Sequence, residues 1–269
     1  MRDAITSRQT TSTTPLADEL VAGAAAVLER VRTRAPRVHC ITNAVAQNIS
    51  ANMLLALGAV PSMTIAPDEV GEFSARADAL LVNLGTFDAE RRAAAEIAIG
   101  SIAQANRPWV LDPVFIERSQ PRTAFARTLA ARHPSALRLN RAEFAALAGA
   151  PWSEGGLRAY AFETDAVLGL TGETDLVTDG ARLARIANGH PLMAKVTAMG
   201  CSASAVVAAC LAVETDAWLA TASGLMVFGV AGELAGARAT GPGSFAAAML
   251  DAIYALDGDV LLREARVAC

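Results

Sequence analysis

Four short stretches of this sequence carry residue types that can do chemistry. The first is Lys195-Val-Thr-Ala-Met-Gly-Cys201, followed directly by the apolar residues 202–213. Residues 197–201 read as a small-residue turn entering a helix. Unpaired N–H groups and the helix dipole favour an anion there, most often phosphate. The same field lowers a thiol pKa, which makes Cys201 a candidate reactive group. A plain turn with a buried cysteine is the structural alternative. The second stretch, Trp109-Val-Leu-Asp112-Pro113-Val114, places a carboxylate at the end of a buried strand. The third, Asn140-Arg-Ala-Glu143, reads either as a capping pair or as a second carboxylate at a neighbouring strand end. Together Asp112 and Glu143 offer the hard oxygen ligands that Mg²⁺ takes alongside water and phosphate. The fourth, Thr171-Gly-Glu-Thr-Asp175, follows an apolar run, and its hydroxyls and amides can bond a nucleotide phosphate or form a simple hairpin connection. No GxxxxGK[ST] motif and no protein-kinase HRD or DFG set occurs.

These residues need elements to hold them, and the chain supplies alternating strands and helices with no linker. Strands are expected at residues 37–42, 59–66, 79–85, 107–114, 137–140, 166–171, 175–178 and 183–186, with a helix at 45–57 closed by Gly58. Asp179-Gly180 marks a tight hairpin, and from Cys201 onward the sequence reads as entirely helical. Such alternation predicts a central, mainly parallel sheet with helices on both faces, and ligands at the carboxyl ends of its strands. Apolar residues make up 53% of the 269, enough for one sizeable core, so the whole chain is expected to be a single α/β domain. Residues 217–236 match a bilayer span in length. Glu233, the Ala and Gly content and the absence of basic flanks favour a buried core helix instead. Residues 1–15 are polar and read as a flexible arm rather than a signal peptide.

A net charge of −4 with no basic run argues against a nucleic-acid partner. Four cysteines without CxxC spacing predict neither zinc nor disulfides and fit a reducing, cytoplasmic setting. His133 and His190 sit at turn signals and, like His39, are not expected to act as bases. Lys195 is the one lysine among 23 basic side chains and is expected to form an ion pair.

The ordered series Val38-His-Cys-Ile-Thr-Asn43, Asn52-x-Leu-Leu-Ala-Leu-Gly-Ala59, Leu111-Asp-Pro-Val114, Asn140-x-x-Glu143, Thr171-Gly-Glu173, Asn188-Gly-His190 and Thr197-x-x-Gly-Cys201 resembles the hydroxyethylthiazole kinases. The likeness runs from about residue 28 to Gly241-Pro-Gly-Ser-Phe245 and beyond. It implies a ribokinase-like α/β fold and transfer of the ATP γ-phosphoryl group to the hydroxyl of 4-methyl-5-(2-hydroxyethyl)thiazole, a salvage step of thiamine biosynthesis. It further implies a homotrimer with active sites between subunits. Matched by position, Cys201 stands beside the acceptor hydroxyl and Met63 contacts the thiazole. Arg122 and Thr171 contact ATP, and Asp112 and Glu143 face Mg²⁺.

Two departures stand out. Ala198 replaces a glycine of the family's anion turn, close to substrate, and Phe115-Ile-Glu-Arg-Ser119 replaces a glycine-rich stretch. Both bear on substrate range rather than on reaction type. Residues 42–47 and 61–66 carry no charge and offer amide, hydroxyl and thioether groups, a lining suited to a small neutral ring. A ribokinase-like kinase of a pyrimidine alcohol is the nearest alternative, and a nucleotide- or thiazole-binding protein without turnover is the alternative outside enzymes.

Overall fold

The computed structural model describes residues 15–269. The arm expected over residues 1–15 lies outside the described residues except for Pro15, which opens the first helix. Strand β3 (Ala79–Asn83) shows how the sequence builds the sheet. All five of its residues are buried. Ala79 and Leu81 join one hydrophobic cluster, whereas Leu80 and Val82 join the cluster on the opposite face. A strand covered on both sides has no polar face, which is why it reads as an unbroken apolar run.

In chain order the elements are α1 (Pro15–Arg34), β1 (Arg37–Ile41), α2 (Gln47–Leu57), β2 (Val60–Ser62), α3 (Val70–Arg76), β3, α4 (Ala89–Gln104), β4 (Trp109–Asp112) and α5 (Gln120–Ala130). There follow β5 (Ala136–Asn140), α6 (Arg141–Ala148), α7 (Glu154–Thr164), β6 (Val167–Thr171), β7 (Asp175–Thr178) and β8 (Leu183–Ile186). The chain then runs through α8 (Met199–Leu211), α9 (Ala217–Gly236), α10 (Pro242–Ala255), α11 (Gly258–Glu264) and β9 (Val267–Ala268). The sheet order is β2-β1-β3-β4-β5-β6-β7-β8-β9. Pairs from β2 to β6 are parallel, and those from β6 to β9 are antiparallel. The mainly parallel sheet flanked by helices agrees with the expectation from sequence.

Helices α1, α2, α8, α9 and α10 contribute to one core, and α4 to α7 to the other. Asp216 caps α9 by accepting the N–H groups of Trp218 (3.0 Å) and Leu219 (3.3 Å). Most of α9 is buried, as expected for a core helix, although its length and composition would also suit a bilayer. Its small residues let α8 come close: a Cβ on Gly224 would lie 2.8 Å from the Val207 Cα.

Boundaries differ from the sequence reading at several elements, among them the strands expected at 79–85 and 107–114, which shorten to Ala79–Asn83 and Trp109–Asp112. The strand expected at residues 59–66 holds only Val60–Ser62. It is an edge strand containing Pro61, whose missing N–H is tolerated at an edge but not in a sheet interior. The C-terminal segment is not entirely helical, because Val267 and Ala268 pair with Ile186 and Arg185 to extend the sheet. The helix expected from residue 45 begins at Gln47, leaving Val45 exposed. Asp179-Gly180 does turn the β7–β8 hairpin, with Gly180 left-handed at φ 95°.

Candidate functional site

The carboxyl ends of β1, β3, β4, β5 and β6 deliver Asn43, Asn83, Asp112, Asn140 and Thr171 to one edge of the sheet, where α8 begins. Register aligns them: Asn83 pairs with Asp112, and Asn140 with Thr171. Asn43 Nδ2 donates to Asn83 Oδ1 and to Cys201 Sγ, both at 3.1 Å. Asn83 Nδ2 donates to Asp112 Oδ2 at 2.7 Å, and the Ser204 hydroxyl donates to the same oxygen at 2.8 Å. A buried polar chain thus runs from Cys201 on the first turn of α8 through two strand ends to Asp112, and returns to α8 at Ser204.

Asp112 is wholly buried. Loss of water pushes its carboxyl above the usual carboxylate range, against the opposing pull of Arg138, Ser204 and Asn83. Arg138 Nη1 stands 4.0 Å from Oδ1, an oxygen with no hydrogen-bond partner. Glu143 does cap α6: Asn140 accepts the Ala142 and Glu143 N–H groups, while Glu143 Oε2 accepts the Asn140 N–H at 2.9 Å. Its Oε1 accepts the Phe115 N–H at 3.0 Å. Burial and then the charge of Asp112 raise its pKa, so the two carboxyls sense each other. Among the described residues no cluster of three or more His, Cys, Asp or Glu side chains is arranged to hold a metal. A cation held by this carboxylate pair would need its remaining ligands from water or phosphate.

Cys201 departs from expectation. A helix N-terminus lowers a thiol pKa, but burial and then the Asp112 charge push this one up to about 11. The thiol is therefore protonated at neutral pH and accepts the Asn43 N–H.

A cleft of ≈ 580 Å³ opens on the other side of the α8 terminus. Its polar end is formed by Arg138, Thr171, Gly172 and Gly200, and its apolar end by Met193, Leu225 and Phe228. The amides of residues 199–201 open α8 with no side-chain cap. Gly200 lets the Arg138 guanidinium lie close against the turn, since a Cβ would meet it at 2.7 Å. Thr171 lies in the wall as expected. Arg122 does not. Its Nη1 donates to the Val114 carbonyl at 3.0 Å, and its guanidinium rests 5.6 Å from the Phe87 ring centroid, braced by the loop that replaced the glycine-rich stretch. The cation in the cleft is Arg138. Met63, half-buried, follows β2 on a loop anchored by His39, whose Nδ1 lies 2.8 Å from Ser62 Oγ. Lys195 ends a 3₁₀ turn (Pro191–Lys195) and is exposed, with no ion pair among the described residues, contrary to expectation.

Sequence reasoning missed Asn43, Asn83, Arg138, Ser204 and His190, a residue of the cleft wall that also caps the 3₁₀ turn. Two had a legible signal. Asn83 closes an apolar run just as Asp112 does, and Arg138 puts a charge inside the otherwise apolar Ala136-Leu-Arg-Leu139. Ala198, the departure in the anion turn, is left-handed (φ 65°, ψ 8°), as is Phe115 (φ 58°), the first residue of the other replaced stretch.

A mostly parallel central sheet with helices on both faces is the ribokinase-like fold. The fold is shared with a ribokinase-like superfamily protein from Enterococcus faecalis, with a TM-score of 0.63 over 85% of this chain and 93% of that one at 13% identity. The hydroxyethylthiazole kinase family model matches residues 28–259. A hydroxyethylthiazole kinase from Granulibacter bethesdensis is 44% identical over 253 residues, covering 89% of this chain and 92% of that one. The solved hydroxyethylthiazole kinase structure from Pyrococcus horikoshii superposes with a TM-score of 0.86 at 36% identity, covering 91% of this chain and 98% of that one. The chain belongs to the hydroxyethylthiazole kinase family.

Two outcomes follow from this geometry. The left-handed penalty on an L-residue, about 1–2 kcal/mol, exceeds the roughly 0.5–1 kcal/mol of chain entropy that glycine costs. Ala198→Gly is therefore expected to stabilise the fold by about 0.5–1 kcal/mol in urea unfolding, and an unchanged midpoint would mean the turn carries no strain. Asp175, in the cleft wall, has its carboxyl pushed up to about 6 by burial, against the Gly172 N–H and Arg138. The folded state thus holds this proton to about pH 6, whereas the unfolded chain releases it near the ordinary value of about 4. Stability from this group falls as pH rises through that window. Asp175→Asn should gain on the wild type between pH 4 and pH 7, and an equal offset at both ends would assign the titration elsewhere.

Proposed function

We propose that the chain transfers the γ-phosphoryl group of ATP to the hydroxyl of 4-methyl-5-(2-hydroxyethyl)thiazole, in thiamine salvage. The observation that carries this is the division of space at the α8 terminus. A nucleotide-sized cleft lies on one side, and Cys201 with its buried link to Asp112 lies on the other. Family membership supplies the acceptor.

Phosphoryl transfer asks for positioning and charge stabilisation more than for covalent chemistry. The amides of residues 199–201 and the Arg138 guanidinium hold the phosphates, with Thr171 beside them. The carboxylate pair fits Mg²⁺, because Asp112 Oδ1 is buried without a partner and the donors are hard oxygens. Asp112 and Glu143 would hold that ion, which offsets phosphate charge when bound. Cys201 positions the acceptor hydroxyl. A protonated thiol removes no proton, and a loose transition state needs little early deprotonation. Met63, from the loop after β2, packs its thioether against the thiazole ring, and Ala198 narrows the space for the hydroxyethyl arm.

Val60 on the β2 edge and Leu55 on α2 are exposed apolar residues. We place the contacts of a homotrimer there, in the cytoplasm. Light scattering is expected to give three times the 27.8 kDa chain mass, and a fully active monomer would exclude active sites shared between subunits.

An ADP-release assay across thiazole, pyrimidine and sugar alcohols tests the reaction itself. The thiazole alcohol is expected to lead by at least about tenfold in kcat/KM, about 1.4 kcal/mol of transition-state binding. Equal turnover of the pyrimidine alcohol would overturn the thiazole assignment. In the same assay Cys201→Ala should lower kcat roughly ten- to a thousandfold, and full activity would reduce Cys201 to core packing.

A further inference from the structure

Residues 188–190 form part of the cleft wall, and with residue 187 before them they belong to no helix or strand. What holds them comes from far along the chain. Asn188 Nδ2 donates to Glu233 Oε2 at 3.0 Å and to the Glu264 carbonyl at 2.9 Å, while its Oδ1 accepts the Arg266 N–H at 2.7 Å. The Gly189 N–H donates to Glu233 Oε1 at 3.0 Å. The Arg266 guanidinium closes the ring by binding both Glu233 oxygens, one of them at 2.9 Å, and the Ala187 carbonyl at 2.8 Å.

The face of α9 beneath is shaped to receive the segment. A Cβ at Gly229 would lie 2.8 Å from the Asn188 carbonyl oxygen, and one at Gly236 would lie 2.4 Å from the His190 ring. Pairing of β9 with β8 fixes the two ends of this arrangement, since β8 runs straight into residue 187 and β9 includes the residue after Arg266. Both Nδ2 hydrogens of Asn188 and one lone pair of its Oδ1 go to the frame, so its work is to hold the wall.

We propose that Arg266, Glu233 and Asn188 are positioning residues for the nucleotide, a latch that fixes the 187–190 segment against α9 and touches neither the acceptor nor the transferring phosphoryl group. This rests on the reading of the cleft as the ATP site. The arginine is more than half exposed, at 57% for its side chain. An exposed ion pair contributes little to global stability. Its bond to the Ala187 carbonyl, by contrast, fixes the local path of the wall. The latch therefore predicts a split that general destabilisation does not produce.

The test uses calorimetric ADP titration and steady-state kinetics on the full chain. Arg266→Ala should weaken ADP binding and raise the KM for ATP about tenfold, with the acceptor KM within about twofold and the melting temperature nearly unchanged. Arg266→Lys should recover part of the loss, because it restores charge without the two-pronged geometry. Glu233→Gln should weaken ADP in the same direction, and the double variant Arg266→Ala/Glu233→Gln should be no worse than the poorer single one, as expected for groups acting together. If Arg266→Ala fails to fold, Glu233→Gln carries the measurement. ADP affinity within twofold of wild type in a folded variant, or an acceptor KM that rises as much as that for ATP, would overturn the latch alone. A wild-type chain that binds no ADP would overturn the nucleotide reading and the latch with it.

Discussion

Burial of the Asp112 carboxylate is the constraint from which much of the architecture follows. A charge without water is tolerable only among donors that replace it, and here Asn83, Ser204 and the nearby Arg138 take that part. Each comes from a different element. β3 must lie beside β4 in register for Asn83 to reach, and α8 must cross the strand ends for Ser204 to do so. The remaining oxygen, Oδ1, accepts no hydrogen bond and faces only the Arg138 guanidinium, 4.0 Å away.

Helix α8 meets that demand through the smallness of its neighbours. Its own face is rich in Ala and Ser, and Gly224 of α9 admits Val207 at backbone distance. The same helix, α9, uses Gly229 and Gly236 to seat the loop that walls the cleft. One run of small residues therefore sets the depth of two different surfaces. It also explains why so long and apolar a segment belongs in a core and not in a bilayer.

The strand positions could be read from the sequence wherever apolar runs were long, because a strand buried on both faces leaves an unbroken signature. The reading overran at Val60–Ser62 and missed Val267–Ala268. Edge strands owe their existence to the neighbour they pair with and carry little signature of their own. At the site, Asp112, Glu143, Thr171 and the 197–201 turn were legible as polar residues closing apolar segments. The state of Cys201 was not. The dipole argument that points to a lowered pKa is local, whereas the burial that overrides it, and the Asp112 charge that adds to it, come from the tertiary fold. Arg122, matched by position to an ATP contact, lies outside the cleft wall, with its guanidinium at the Val114 carbonyl and over the Phe87 ring.

The change from parallel to antiparallel pairing after β6 has a consequence for how the site is encoded. A parallel neighbour would send the chain back across the sheet through a crossover helix before it could return. Two successive reversals instead bring β8 to the edge where β6 ended, with only short turns between them. Most of the cleft is consequently written as one uninterrupted passage, from Thr171 to Ala203, with Arg138 and the face of α9 as its outside contributors. The polar chain at Cys201, by contrast, is assembled from the ends of β1, β3 and β4 and the start of α8, separated by most of the chain. The first half is modular and could be exchanged between relatives as a cassette, whereas the second can change only by concerted substitution across the whole fold.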